Sequence, residues 1–497
     1  MAPVFPLILV LLLSSRCRVG SSDEDAGEAV GYMDDVPASS LKHVAADHGS
    51  VCSGHKGGTM PSSSMGTWVP LNRPHGPCSP PSKSNATTSR AVMVDDMLLW
   101  DQDRANYILG QLSDDGAGRE IIGINGHNST TVGTYTVNNA LLVDGEYGTM
   151  AQAGGNMSQS AAAGGGSRGG LSQTVVIDTS SDIPWVQCLP CPSPQCHLQK
   201  DRLYDPTRSS TYAPISCASP ACALLGTRYS NGCSPTSQQC QYTVAYGDGA
   251  ATTGTYVTDR LTLGPNIVVP NFRFGCSHAV RGSFSDQTAG TLALGGGRQS
   301  LLAQTARTFG NAFSYCVPAP SASGFLSMGG PTVAASSFAR TPLVRIPRNP
   351  TFYLVRLRAI TVAGRRLSVP PAVFSAGSVM DSSIIITRLP PTAYRALRAA
   401  FRTAMSMYPL TAPRPGLDTC YDFLRFPTVR VPRISLVFDA GAVLQLDRTS
   451  VMLDGCLAFA ASPSDGAVGF IGNVQQQTYE VLYDVGGRSV GFRGGAC

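Results

Sequence analysis

The chain has 497 residues, 43% of them hydrophobic and 14% charged, where an average soluble domain carries about 25% charge. That length accommodates two or three domains with sizeable cores, and the low charge excludes a charge-rich disordered chain or a long coiled coil. A formal charge of +5 with no basic run argues against a nucleic-acid binder, and no internal repeat marks a solenoid or propeller.

The first twenty residues read MAPVFPLILVLLLSSRCRVG. An apolar run from Val4 to Leu13 followed by small and polar residues fits a secretory signal peptide over 1–20 and is too short to span a bilayer. No later stretch is long and apolar enough for a membrane span, so none is expected in the mature chain. Residues 21–150 read as a leader. It is rich in Ser, Gly and Pro without sustained period to about residue 90. A helix is then predicted over 92–112, where Met97, Trp100, Arg104, Ile108 and Leu112 recur at three- and four-residue steps. Residues 151–170 (AQAGGNMSQSAAAGGGSRGG) read as a low-complexity linker. Asn85, Asn128 and Asn156 open N-x-S/T sequons. From Leu171 onward, β-rich runs such as TVVID, CQYTVAY, FYLVRLRAITV, SVMDSSIIITRL, RISLVF and GFIGNV alternate with turn residues, as the 53 glycines and 35 prolines suit. One helix is predicted over 390–405, opened by Pro390-Pro391 and carrying Tyr394, Leu397 and Phe401 on one side. The body is therefore mostly β, and a division near Pro342–Pro350 gives two comparable halves, 171–345 and 350–497.

Fifteen cysteines point to an oxidising compartment. Cys17 belongs to the signal peptide, and Cys52 and Cys78 to the leader. The other twelve are Cys188, Cys191, Cys196, Cys217, Cys222, Cys233, Cys240, Cys276, Cys316, Cys420, Cys456 and Cys497, an even set expected to form disulfides. Cys188-x-x-Cys191 with His197 nearby has zinc-ligand spacing but lacks a second ligand pair, so no metal is expected.

Two segments echo each other 203 residues apart. TVVIDTSSDIPW carries Asp178-Thr179-Ser180, and SVMDSSIIITRL carries Asp381-Ser382-Ser383. Each sets an aspartate after an apolar strand and before small hydroxyl residues. Two carboxyls brought face to face cannot both ionise cheaply and so share a proton. One can then deprotonate a water while the other protonates a peptide carbonyl. Other catalytic signatures fail. The nucleophile-elbow pattern at Gly165–Gly169 lacks its strand and helix. His197 and His278, the only histidines of the β-rich body, read as ordinary loop residues. No phosphate or dinucleotide fingerprint is present, so no cofactor is expected.

The paired motifs, with Trp185 in IPWVQC, Tyr246 in YGDGAATTG, the cysteine-rich stretch 188–240, and the segments FGCS (274–277), FSYC (313–316) and FIGNVQQQTYEVLYD (470–484), resemble the pepsin-like aspartic proteases, in particular the plant nepenthesin-type branch. RPHGPCSP (73–80) and WDQDRANYI (100–108) look like the leader of related precursors. The resemblance implies an all-β, bilobal fold with a central cleft. It gives Asp178 and Asp381 the catalytic roles, and assigns Tyr246 as a flap residue bonded to Trp185. Thr179 and Ser382 stand beside the aspartates on the substrate-binding surface. It also implies the disulfides Cys188–Cys191, Cys196–Cys276, Cys217–Cys240, Cys222–Cys233, Cys316–Cys497 and Cys420–Cys456.

The sequence departs from the family pattern at several positions. Ser180 and Ser383 replace the motif glycines, and are expected to strain their loops. Ile384 replaces a threonine that supports the second carboxylate. Thr291-Leu292-Ala293 lacks the glycine kept in its counterpart Phe470-Ile471-Gly472. The strand pair expected before TVVID is replaced by the run 151–170. The leading expectation is a secreted, monomeric acid endopeptidase acting on peptides or proteins, extracellular or vacuolar. It would be made as a zymogen whose leader blocks the cleft through basic side chains until acidification. The alternative is a weak or inactive pepsin-fold binding protein or inhibitor of a secreted hydrolase.

Overall fold

The computed structural model describes residues 32–41, 67–72, 90–113, 136–142, 171–192, 194–246, 249–264, 267–282, 284, 288–318 and 324–497. The expected signal peptide, Cys17, Cys52, Cys78, the three sequons and the run 151–170 lie outside the described residues.

The chain is mostly β and bilobal, and each lobe is built on the same strand motif. In the first lobe, Leu171–Asp178 pairs in parallel with Gly290–Ala293, which pairs antiparallel with Trp185–Gln187, itself parallel to Ile267–Arg281. In the second, Ser378–Met380 is parallel to Gly469–Ile471, which is antiparallel to Thr387–Leu389, itself parallel to Phe459–Ala461. Apolar runs such as Thr174-Val175-Val176-Ile177 are buried along both faces, as central strands with covered faces require. The helix Pro391–Ala404 forms over the expected residues and buries Ala393, Tyr394, Leu397 and Phe401.

A shared sheet ties the lobes together. Ala312–Cys316 pairs with Glu480–Asp484, which continues into Ser489–Arg493 and then Ala339–Pro342. Phe313 stacks on Tyr483 at 4.6 Å between ring centroids, and buried Glu480 accepts bonds from Ser314, Thr332 and Arg493. Cys316–Cys497 joins segments 181 residues apart. Opening so long a loop frees much unfolded-state entropy, so the double variant Cys316→Ser/Cys497→Ser is expected to lose about 2–5 kcal/mol, read as a lower unfolding midpoint in denaturant.

Three segments that the sequence assigned to the leader carry strands. Met33–Pro37 pairs antiparallel with Thr428–Pro432, Asp34 binds Arg433 through both carboxylate oxygens at 2.9–3.0 Å, and Val36 and Leu41 are fully buried. Thr67–Asn72 pairs with Gly324–Met328 and with Thr136–Leu142. Thr136–Leu142 in turn pairs with Leu171–Asp178. The strand position before TVVID is thus filled by a segment lying ahead of the run 151–170. None of these segments announces itself by alternation; sheet edges elsewhere in the chain supply their partners, a tertiary override of local pattern.

All twelve body cysteines are paired, in six disulfides. Cys316–Cys497 and Cys420–Cys456 are as implied. The other four differ from the implied set: Cys188–Cys276, Cys191–Cys196, Cys217–Cys233 and Cys222–Cys240. Strand register explains the first, because Cys188 continues the strand that runs in parallel beside Cys276. Cys222 and Cys240 meet because both are buried in one apolar cluster.

Candidate active site

Asp178 ends its strand, and its carbonyl accepts the Leu294 N–H at 2.8 Å. Asp381 follows the equivalent strand; its N–H donates to Ile471 and its carbonyl accepts from Gln476 Nε2. The two loops clasp each other through the next residues. The Thr179 N–H donates to Ser382 Oγ at 3.1 Å, and the Ser382 N–H donates to Thr179 Oγ1 at 3.0 Å. Each hydroxyl then donates to the opposite strand, Ser382 to the Ile177 carbonyl and Thr179 to that of Met380. A small hydroxyl side chain after each aspartate is therefore a structural requirement of the pairing.

The carboxyls themselves are almost completely buried, Asp178 at 4% and Asp381 at 0% exposure. Asp178 Oδ1 accepts the Ser180 N–H at 2.8 Å. Asp381 Oδ1 accepts the Ser383 and Ile384 N–H groups at 2.6 and 2.9 Å. The Ser180 hydroxyl donates to Asp381 Oδ2 at 2.5 Å, so one residue bridges both carboxyls. Burial pushes the Asp381 carboxyl above the usual carboxylate range; Arg104 opposes the rise, Asp178 adds to it, and the Ser180 hydroxyl lowers it.

The expected strain is absent. Neither Ser180 nor Ser383 has a positive φ, so a Cβ is tolerated at both. Ile384 gives up a side-chain donor, but its N–H still reaches Asp381 and its side chain packs with Ala105 and Ile108. Ala293 is fully buried opposite Asp178. At Gly472, by contrast, a Cβ would lie 2.5 Å from the Ile385 carbonyl, so only that counterpart demands glycine. Ser180→Gly removes a donor to the ionised form of Asp381, and its pKa is expected to rise further. Carbon-13 NMR titration of the carboxyl would read that upward shift; an unchanged titration would show the hydroxyl to be inert.

Trp185 is buried, and its Nε1 donates to the Tyr246 hydroxyl at 2.7 Å. Phe284 sets an edge against both rings. The histidines have other partners: His197 stacks on Phe284 and bonds Thr288, and His278 sits in a strand and bonds Pro190. Among the described residues, no cluster of His, Cys, Asp or Glu could hold a metal ion, and no helix is long and apolar enough to cross a membrane.

Sequence reasoning expects basic side chains from the residues before 150 near the aspartates but does not single out Arg104 for that place, and it misses Asp101. Helix α1 (Arg90–Leu112) lies against the second lobe. Val94, Met97 and Leu98 pack with Ile385, Ile386 and Val474, while Ala105 and Ile108 pack with Phe352, Val379 and Phe470. Two charged residues sit in this buried face. Arg104 Nη2 donates to Asp178 Oδ2 at 2.7 Å, and its guanidinium lies 5.7 Å from the centre of the Tyr246 ring. Burial works against its charge, but Asp178 and Asp381 outweigh that and hold it more firmly protonated than an ordinary arginine. One turn earlier, Asp101 accepts from Arg388 Nη2 at 2.6 Å and from the Ile385 N–H at 2.5 Å. Burial raises the Asp101 pKa despite Arg388. The signal was present in the sequence: Arg104 interrupts an otherwise apolar stripe.

The repeated lobe motif, with an aspartate at the same place in each repeat, defines a pepsin-like class of fold. Residues 169–330 match the family described as Xylanase inhibitor N-terminal, and residues 352–494 match Xylanase inhibitor C-terminal. An aspartyl protease family protein of Arabidopsis thaliana is 38% identical over 331 residues, covering 65% of this chain and 69% of the relative. Aspartic proteinase nepenthesin-2 of Nepenthes gracilis is 33% identical over 338 residues, covering 64% and 73%. The crystal structure of Basic 7S globulin from soybean superposes with a TM-score of 0.54 at 20% identity over 73% of this chain and 91% of that one, a likeness of fold. The chain belongs to the plant branch of the pepsin-like A1 aspartic protease family.

Proposed function

We propose that the protein is a secreted aspartic-type endopeptidase, held latent by its leader helix. The observation that carries this reading is the bridging of Asp178 and Asp381 by Ser180 at the clasp of two buried loops. Once α1 has left, a water between the carboxyls is deprotonated by the ionised partner. With the peptide held under the Tyr246 flap, the water oxygen attacks the carbonyl carbon as the protonated partner gives its proton to the carbonyl oxygen, and the carboxyl that took the water's proton passes it to the amine as the C–N bond breaks. Until then Arg104 neutralises Asp178, and α1 occupies the second-lobe surface beside it. Six disulfides suit an oxidising compartment, and the destination proposed is extracellular or vacuolar. The test is hydrolysis of a denatured protein substrate across about pH 2 to 7 by the processed chain, with inhibition by pepstatin. Absence of turnover throughout that range would end the peptidase reading.

A second reading, a pepsin-fold protein that binds a secreted hydrolase, draws on the xylanase-inhibitor family descriptions and on serine at both motif glycine positions. A stable complex with a xylanase that lowers its activity, without cleavage of either chain, is the result that reading requires.

A further inference from the structure

The offset of 203 residues that carries Thr179 onto Ser382 also carries Trp185 onto Arg388. The two residues hold equivalent places, each on the strand that runs antiparallel to the motif's inner strand: Trp185 lies opposite Thr291, and Arg388 opposite Phe470. Trp185 meets the flap tyrosine on its side of the dyad. On the other side Arg388, 2% exposed, is covered by the leader. Its side-chain partners are Asp101 at 2.6 Å and Gln102 at 2.6 Å, both on α1, and its Nε has no partner among the described residues. The same Asp101 carboxylate takes the N–H of Ile385, four residues beyond Asp381. Departure of α1 therefore strips partners from a guanidinium and a backbone donor together, in a setting lined by Ile385 and Ile386. A buried cation and an orphaned donor are costly, and the two oxygens of a carboxyl group accept from both, where an amide would turn an N–H group toward a donor.

We propose, resting on the peptidase reading, that Arg388 and the Ile385 N–H form a subsite selecting an aspartate or glutamate side chain of the substrate, about one helical turn from the reacting centre. In the latent chain Asp101 fills it as a substrate mimic: Asp101 and Arg104 lie three residues apart on one helix face, the first in the subsite and the second on Asp178.

The test compares the wild-type chain, processed at acid pH, with the double variant Arg388→Gln/Asp101→Asn. That variant buries no unpaired charge, and its fold is checked by near-ultraviolet circular dichroism. Cleavage sites in a tryptic digest of a whole proteome are sequenced by mass spectrometry. The wild type is expected to enrich Asp and Glu at one fixed position. Two fluorogenic peptides differing only by Glu or Gln there should differ at least about tenfold in kcat/KM, and the double variant should bring the ratio near one. Turnover without acidic enrichment, or a ratio unchanged in the variant, overturns the subsite. Should neither chain turn over any peptide, the peptidase reading fails and a binding measurement decides the subsite separately. Labelled peptide 90–112 and its Asp101→Asn form are then titrated into the full chain carrying Arg104→Gln, with and without Arg388→Gln. The asparagine peptide is expected to bind at least about tenfold more weakly only where Arg388 is present. Equal binding of the two peptides there would overturn it.

Discussion

Replacing Asp178 or Asp381 by asparagine is expected to lower acid peptide hydrolysis by about a thousandfold or more, the upper part of what positioned acid–base groups supply. The amide is nearly isosteric. At position 381 its oxygen still accepts the Ser383 and Ile384 N–H groups, and its nitrogen can donate to Ser180 Oγ, which now accepts. At position 178 its oxygen still accepts the Ser180 N–H. The clasp formed by Thr179 and Ser382 does not involve the carboxyls at all. What is lost is the ability of one group to take a proton while the other gives one, which a carboxyl–amide pair cannot do. Steady-state kcat on a peptide substrate, with unfolding midpoints measured in parallel, checks this. Either variant retaining turnover within tenfold of wild type, while remaining pepstatin-sensitive, would remove the dyad from the chemistry.

Arg104→Gln is expected to unlatch the full-length chain. Removing one member of a buried ion pair leaves an uncompensated charge and destabilises the arrangement by about 3–5 kcal/mol, so the open population should rise on the order of 10²–10⁴-fold. Two readouts follow: peptide turnover by the intact chain before any processing, and faster amide exchange across residues 90–112. Asp101 acts in the opposite sense to an acid-triggered release. Its raised pKa means that its contribution to docking is complete below the ordinary value of 3.8 and is lost as pH rises through the raised one. Acid therefore tightens the Asp101 contact, so protonation of Asp101 does not release the helix. In Arg104→Gln, helix protection corrected for intrinsic exchange is expected to increase as pH falls from neutral. A decrease would show that Asp101 ionised is the stronger clamp.

The local chemistry of the site was legible because it is local. Thr179 and Ser382 must each offer an N–H and a hydroxyl immediately after an aspartate, and that demand is written in three consecutive residues. The missing motif glycines predict strain at Ser180 and Ser383; backbone angles outside the left-handed region remove the need for glycine, and the added Ser180 hydroxyl becomes a donor to the opposite carboxyl. Which cysteine meets which depends on strand register, as at Cys188 and Cys276, and register is a long-range property.

By itself the sequence determined a mostly β chain with an internal echo, an oxidising history for its cysteines, and two aspartates with their hydroxyl neighbours, because strand periodicity, turn chemistry and residue type are properties of short segments. Only the tertiary structure decided where the segments before residue 150 go. Met33–Pro37 and Thr67–Asn72 become strands because sheet edges receive them. Arg104 and Asp101 become site residues because helix packing buries charges that water would otherwise solvate, and a buried charge must find its opposite.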